Sequence, residues 1–178
     1  MSFHIRQANN RDVEGVVNVI HAVFDEYSFT WEEDGYHADL YDIETHYTGC
    51  GDTFFVAEKD GVVIGTIALE RFDLIPGAPG DLKVIEGYSR VQGCDCSLER
   101  MYVHPDSRRF GAGSGLINHV IAVAKGENRS AMELWSDKRF GDAHRLYGRF
   151  GAKVVGDRIL DDPDQSPEWG LMIDLRQP

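Results

Sequence analysis

The residues best suited to chemistry lie in the segment RRFGAGSGL, residues 108–116, which we call the glycine loop. Three glycines at alternate positions follow two arginines, and an apolar pattern with helical spacing follows the glycines. A helix N-terminus presents unpaired backbone N–H groups and the positive end of the helix dipole, and glycines let a bulky anion approach that backbone. The glycine loop therefore predicts a cradle for a phosphate or pyrophosphate group. The alternative is a flexible connection between a strand and a helix.

Two common nucleotide-binding loops do not match this spacing. After Gly111 and Gly113, the Rossmann pattern requires a third glycine where Leu116 stands, and no Lys-Ser or Lys-Thr pair completes a nucleoside triphosphate loop.

The run Cys94-Asp95-Cys96 resembles half of a metal site. Because no second Cys or His cluster has the companion spacing, we expect buried thiols and no metal.

The elements that must position the glycine loop follow from hydrophobic periodicity. Strands are predicted at residues 3–8, 53–58, 62–70, 97–103, 131–135, 152–156 and 170–175, and helices at 13–24, 36–47, 116–126 and 142–150. Lys59-Asp60-Gly61 predicts a tight turn between two antiparallel strands. The segment 73–93, rich in Pro and Gly, is interpreted as an inserted loop. Strands and helices alternate only in part, which favours a mixed sheet with helices on both faces.

Length, charge and composition restrict the class of protein. A chain of 178 residues with 42% hydrophobic residues predicts one domain, spanning 1–178. The net charge of −12 argues against a nucleic-acid partner. No apolar run is long enough for a bilayer, and the N-terminus lacks the apolar core of a signal peptide. Three cysteines, an odd number, argue against a secreted disulfide framework. We therefore expect a soluble, cytoplasmic protein with no membrane partner.

Two blocks of the chain resemble the GNAT superfamily of N-acetyltransferases. LERMYVHPDSRRFGAGSGL is similar to its acetyl-CoA loop, with Arg108, Gly111 and Gly113 on the signature, and AHRLYGRFGAKVVG is similar to its later helix, with Tyr147 in register. The order of predicted elements also agrees, so the resemblance covers essentially the whole chain. It implies an α/β fold, more exactly a mixed α+β one, whose mostly antiparallel sheet is splayed at the fourth and fifth strands.

The resemblance implies acetyl-CoA as cosubstrate and gives the residues that would hold it. Backbone amides from Arg109 to Ser114 would wrap the pyrophosphate. The expected ligands in the glycine loop are Arg108, Arg109, Phe110, Gly111, Ala112, Gly113 and Ser114. Val103 would bond the pantetheine arm through its backbone, and the amide of Met101 would donate to the oxyanion as it forms.

Catalytic roles follow from the same resemblance. Tyr147 would protonate the leaving thiolate, with a core aromatic as the alternative interpretation. Glu99 is the candidate base, although the position that usually carries the glutamate lies nearer Ser97; Glu133 and His104 are weaker alternatives. The superfamily often has an asparagine where this chain has Phe140. Ser136 or Arg139 is expected to contact the cofactor in its place.

The acceptor is expected to be a small-molecule or peptide amine. Acids beside aromatics suit a cationic amine, so Trp31, Glu33 and Tyr36 are candidate substrate-binding residues, with a solvated acidic surface as the alternative. A catalytically weak acyl-CoA sensor, a longer acyl group and acylation of an oxygen stay open, as do the amine's identity and the roles of 73–93, Cys94 and Cys96. The superfamily often dimerises, which adds a homodimer to these expectations.

Overall fold

A computed structural model of the chain describes residues 2–176. The strands are β1 (His4–Gln7), β2 (Thr53–Lys59), β3 (Val62–Arg71), β4 (Leu82–Ile85), β5 (Tyr88–Val91), β6 (Cys96–Val103), β7 (Ala131–Asp137), β8 (Lys153–Ile159) and β9 (Pro167–Asp174). The helices are α1 (Val13–Tyr27), α2 (Ile43–His46), α3 (Ala112–Gly126) and α4 (Gly141–Arg149). Within residues 2–176, no helix is both long and apolar enough to span a bilayer.

The chain divides into two compact units. The first contains the residues up to Glu70 together with Arg100–Val120, and the second contains Arg71–Glu99 together with the residues from Ile121 onwards. Strand β6 changes unit between Glu99 and Arg100, and helix α3 changes unit between Val120 and Ile121.

The first unit is built on an antiparallel arrangement of β1, β2 and β3, with β6 next to β3. Its main helix, α1, begins after a capping box at Asn9 and ends where Ser28 takes a left-handed conformation, with φ 57°. The buried residues of α1 recur at helical spacing and are Val16, Val19, Ile20, Val23 and Phe24. The turn after Lys59 has positive φ at both Asp60 and Gly61, which confirms the tight turn predicted there.

In the second unit, the strands pair in the order β6-β7-β9-β8. The β7–β9 and β8–β9 ladders are antiparallel, whereas β6 and β7 are parallel and pair through Cys96↔Met132 and Ser97↔Glu133. This short ladder agrees with a sheet that opens between these two strands. The mixed, mostly antiparallel sheet predicted from the sequence is confirmed.

The segment 73–93 contains a hairpin, so the prediction of an inserted loop was wrong for residues 82–91. Strands β4 and β5 form a separate antiparallel pair whose turn has positive φ at Glu86 and Gly87. This is the backbone of a two-residue hairpin turn, but Glu-Gly is a weaker signal for it than Asn-Gly or Asp-Gly. A contact with β7 also stabilises the hairpin. The amide of Val91 donates to Glu133 Oε2 at 2.5 Å.

Candidate active site

The backbone of the glycine loop has the geometry of an anion cradle. Arg109 and Gly111 have φ values of 66° and 85°, and α3 begins at Ala112. The amide of Gly115 donates to the carbonyl of Gly111 at 2.9 Å, which is the first hydrogen bond of a helical turn. The amides between these residues therefore precede the hydrogen-bonded part of the helix and lie at the positive end of its dipole. Amides in such a position can donate hydrogen bonds to an anion.

The two arginines of the glycine loop differ in their surroundings. Arg108 Nη1 and Nη2 donate to the two carboxylate oxygens of Glu26 on α1, at 2.8 and 2.5 Å, and its Nε donates to the carbonyl of Val103. Arg109 is exposed. A further cation lies nearby, because Lys59 Nζ is 5.7 Å from the ring centre of the half-exposed Phe110. Much of the guanidinium of Arg108 is thus used within the protein, and Arg109 presents its charge to solvent.

Strand β6 is interrupted directly before Met101. Arg100 has φ 50°, a left-handed conformation that breaks the alternation of side chains along the strand. The hydroxyl of Thr66 donates to the carbonyl of Arg100 at 2.7 Å, and the amide of His104 donates to Ile64 at 3.0 Å. Met101 and Val103, which are partly buried, follow this kink in the first unit. The kink changes the direction of the Met101 amide relative to a regular strand.

The side chain of Arg100 is the centre of a buried cluster. Its Nε and Nη2 donate to the two oxygens of Asp39 at 3.0 and 2.7 Å, and Nη2 also donates to the carbonyl of Tyr36 at 2.6 Å. Its Cζ lies 4.4 Å from the ring centre of Tyr36. The hydroxyl of Tyr47 donates to Asp39 as well. Burial lowers the pKa of Arg100, but the neighbouring Tyr36 and Asp39 oppose this and raise the pKa overall, so the guanidinium stays charged.

The imidazole of His37 is fully buried against Trp31 and belongs to the same cluster. The two rings stack with centres 3.8 Å apart, and Phe24 and Tyr36 contact His37 with their ring planes nearly perpendicular to it. Burial, with the nearby charge of Arg100, lowers the pKa of His37 to about 4, so the ring is neutral at pH 7. We call Trp31, Tyr36, His37, Asp39, Tyr47 and Arg100 the Arg100 cluster.

Of the three predicted substrate-binding residues, two belong to the Arg100 cluster. Trp31 stacks on His37, and Tyr36 contacts Arg100. Glu33 is exposed. The cation beside these aromatics and acids is the chain's own Arg100, which the sequence analysis did not single out.

In the second unit, Tyr147 lies on α4 and is 4% exposed. Burial, together with the negative charge of Glu99, raises the pKa of Tyr147, so its hydroxyl is protonated at neutral pH. The hydroxyl has no hydrogen-bond partner among residues 2–176. Ser97 donates a hydrogen bond to Glu99, which shows that these two side chains share a face of β6. The structure thus brings a protonated phenol and a carboxylate into the same electrostatic environment.

The two residues expected to replace the missing asparagine lie at the end of β7 and directly after it. Arg139 makes a bidentate ion pair with Asp137, with contacts of 2.8 and 2.6 Å, and also donates to Ser166. The Ser136 hydroxyl lies 3.1 Å from Nε2 of His144, one turn before Tyr147 on α4. Burial lowers the pKa of His144. His144, which the sequence analysis missed, therefore joins Ser136 as a neutral polar pair.

The weaker candidates have structural partners. Glu133 is fully buried, accepts from Arg90 at 2.8 Å and from the amide of Val91, and so ties β5 to β7. His104 accepts from the amide of Asp106 and caps a short 3-10 turn.

Burial raises the pKa values of Cys94 and Cys96, which keeps both thiols protonated. Within residues 2–176, no group of three or more His, Cys, Asp or Glu side chains is arranged to hold a metal ion.

Arg100 and His37, like His144, are residues of the candidate site that sequence reasoning missed. Arg100 was hidden because a charged residue in a strand looks solvent-exposed, and its partner Asp39 is 61 positions away. His37 was hidden among the acids and aromatics of its segment. The only available signal was their density, with Trp31 and Tyr36 beside these residues.

Residues 18–152 match the family model described as the acetyltransferase (GNAT) family. The chain is also 30% identical over 144 residues to N-acetylaspartate synthetase of Danio rerio. This alignment covers 79% of the chain but only 45% of the relative.

Solved structures show the same fold. An acetyltransferase of the GNAT family from Staphylococcus aureus Mu50 has a TM-score of 0.74 at 22% identity, covering 98% of this chain and 100% of that one. The yncA protein of Salmonella typhimurium, described with its cofactor acetyl-CoA, has a TM-score of 0.68 at 18% identity, covering 100% of this chain and 96% of that one. At these identities the likeness concerns the fold alone.

Proposed function

Because the chain belongs to the GNAT acetyltransferase family, we propose that it transfers an acetyl group from acetyl-CoA to a primary amine by direct attack in a ternary complex. The observation that carries this proposal is Tyr147, a buried phenol whose hydroxyl is protonated and has no competing partner among the described residues. A relative named as an N-acetylaspartate synthetase and a structural neighbour described with acetyl-CoA support the choice of amine acceptor and cosubstrate.

The glycine loop would hold the pyrophosphate through backbone amides. The left-handed conformations of Arg109 and Gly111 turn the chain into α3, and the amides that precede Gly115 are available at the helix end. Arg109 would add positive charge, while Arg108 orients the loop through its pair with Glu26. Acetyl-CoA, when bound, supplies an activated acyl group as a thioester.

The chemical step needs three groups of the chain. Glu99 would accept a proton from the ammonium, because only the neutral amine has a lone pair for attack. The amide of Met101 would donate to the carbonyl oxygen as it becomes negative. A bond forms between the amine nitrogen and the acyl carbon, the carbon–sulfur bond breaks, and Tyr147 gives its proton to the departing thiolate. The acylated nitrogen then loses its second proton, which restores the tyrosinate directly or through solvent, and Glu99 releases its proton to solvent.

The experiment that tests the proposal combines calorimetry of acetyl-CoA binding with free-thiol release over a panel of amines. Replacing Tyr147 by Phe should lower kcat by about 100-fold or more while leaving the Kd for acetyl-CoA nearly unchanged, since general acid catalysis contributes about 100- to 10,000-fold. Tyr88→Phe, at a tyrosine of the second unit that is 67% exposed, is the matched control and should leave both constants unchanged.

Each outcome has a definite meaning. Thiol release with one amine, lost in Tyr147→Phe, supports acetyl transfer. Cofactor binding without release for any amine favours an acyl-CoA sensor. An equal loss of affinity and turnover in Tyr147→Phe contradicts the assigned role of the phenol, and no binding of acetyl-CoA contradicts the cradle.

A further inference from the structure

The hydroxyl of Ser97 makes a direct hydrogen bond to Glu99, the candidate base. Its oxygen lies 2.5 Å from Oε1 of the carboxylate, and both residues belong to β6. Because alternate residues of a regular strand point to the same face, the strand itself brings the two side chains together. The left-handed residue of β6, Arg100, comes only after Glu99. The contact therefore belongs to the regular part of the strand.

The sheet fixes Ser97 more firmly than Glu99 on the side of β7. Ser97 is 0% exposed, and its backbone pairs with Glu133 of β7. Among the described residues, the parallel ladder between β6 and β7 ends at this pair, so Glu99 lies beyond it and next to the kink at Arg100. The hydroxyl of Ser97 thus links the partly buried carboxylate of Glu99 to the last paired position of the ladder.

The hydrogen bond favours the charge state that a base needs. An ionised carboxylate has only acceptor oxygens, so the hydroxyl of Ser97 donates. A donated hydrogen bond stabilises the charged form of a carboxylate relative to its neutral form. The same charge acts on Tyr147, because burial and the negative charge of Glu99 raise the pKa of the phenol. Ser97 therefore contacts the one side chain whose charge concerns both proposed catalytic groups.

We propose that Ser97 is a positioning residue, whose hydroxyl holds the carboxylate of Glu99 in the orientation and charge state in which it accepts a proton from the amine. The inference rests on the proposed acetyl transfer, with Glu99 as its base, and adds a residue to that mechanism. Ser97 is fully buried and acts through Glu99. Its removal should therefore slow proton transfer and leave cofactor binding intact.

Ser97→Ala tests the inference, because it deletes the hydroxyl and adds no bulk. Thiol release from acetyl-CoA is measured at pH 7 with the amine that reacts fastest in the panel. The kcat/KM for this amine should fall by about tenfold, as expected for the loss of one hydrogen bond to a charged group, while the Kd for acetyl-CoA stays the same. Ser97→Thr keeps the hydroxyl and should retain most of the activity. Ser89→Ala, at a partly buried serine of β5, is the matched control and should change neither constant.

Two further measurements separate positioning of the base from a structural role. In a Glu99→Gln background, Ser97→Ala should lower kcat/KM by less than about twofold, because no base remains to be positioned and the two effects are then not additive. Raising the pH from 7 to about 9.5 should narrow the difference between Ser97→Ala and the native chain, since an amine with a pKa of about 10.4 supplies more of its neutral form without a base. Tyr147 stays protonated over this range, because burial raises its pKa above the ordinary value.

Several results would overturn the inference. One is an unchanged kcat/KM in Ser97→Ala, and another is an equal loss in the native and Glu99→Gln backgrounds. A loss that stays constant between the two pH values, or that is matched by an equal loss of acetyl-CoA affinity, would assign Ser97 a structural role. Failure of the proposed function looks different: the native chain would release no thiol with any amine, and Glu99 would have no base role for Ser97 to support.

Discussion

The glycine loop and the Arg100 cluster both lie in the first unit, but one presents backbone groups and the other presents side chains. The glycine loop relies on backbone amides and on two left-handed residues, Arg109 and Gly111, within one short segment. The Arg100 cluster relies on side chains that meet across 61 positions of sequence, at the contact between Asp39 and Arg100. A backbone site can be recognised from local sequence, whereas a side-chain site becomes visible only when the fold is known.

The two regions also use arginine differently. Arg108 pairs with Glu26 at the surface, where the side chains are 37% and 39% exposed. Arg100 pairs with Asp39 where the exposed fractions are 12% and 21%. Surface ion pairs contribute little to stability, but removing one partner of a buried pair leaves an uncompensated charge. Arg100 thus stabilises the fold, whereas Arg108 serves to orient the glycine loop.

The largest expected effect comes from replacing Arg100 by Met. Arg100→Met should lower the free energy of unfolding by about 3 kcal/mol, because Asp39 keeps a buried charge without its partner. Arg108→Met, the matched control, should change it by less than about 1 kcal/mol. Urea unfolding followed by circular dichroism measures both. Equal losses for the two variants would show that burial does not separate these ion pairs.

The second prediction concerns how the free energy of unfolding depends on pH, and it tests His37 of the Arg100 cluster. The pKa of His37 is lowered from 6.5 to about 4, so the unfolded chain binds a proton that the folded chain does not in this range. The stabilising contribution is therefore complete above pH 6.5 and decreases as the pH falls towards 4, by about 3 kcal/mol in total. Unfolding free energies at several pH values, compared between the native chain and His37→Phe, measure it.

The comparison with His37→Phe is needed because carboxylates also contribute to acid unfolding. The arginine partner of Asp12, Arg6, holds the pKa of that carboxyl below its usual range, and this loss is common to both proteins. The difference between the two curves is the contribution of His37. Parallel curves would contradict a buried neutral imidazole.

The distinction between the two regions explains how much could be predicted from sequence. The glycine loop, the turn at Lys59-Asp60-Gly61 and most strands depend on neighbouring residues, and the predicted mixed sheet is confirmed. The hairpin at 82–91 was missed because its Glu-Gly turn is a weak local signal. Arg100 and His37 were missed because their partners are distant in sequence or concealed within an acidic segment. Sequence reasoning found the elements of the fold whose local signal was strong.

A third prediction asks whether the glycine loop acts through backbone conformation. Gly111 has φ 85°, and a Cβ there would have no heavy atom within 4 Å. Gly111→Val should therefore weaken CoA binding through strain alone, by about tenfold, since a left-handed conformation costs an ordinary residue about 1–2 kcal/mol. Gly111→Asn, which tolerates this conformation better, should lose much less. Calorimetric titration with CoA distinguishes them, and equal losses would indicate that side-chain bulk matters instead.

The smallest effect is expected at Glu26, whose carboxylate holds Arg108 beside the glycine loop. Glu26→Gln removes a negative charge near the proposed pyrophosphate position and keeps a side chain that can accept from Arg108. CoA binding should tighten by no more than about fivefold at low salt, because exposed charge pairs are worth about 0.2–1 kcal/mol. The gain should shrink as salt rises, since solvent ions screen exposed charges. Calorimetry at two ionic strengths tests this, with Glu14→Gln, near the other end of α1, as the control. If Glu26→Gln weakens binding at both ionic strengths, the carboxylate acts mainly by orienting Arg108, and this arginine then contributes through its position more than through its charge.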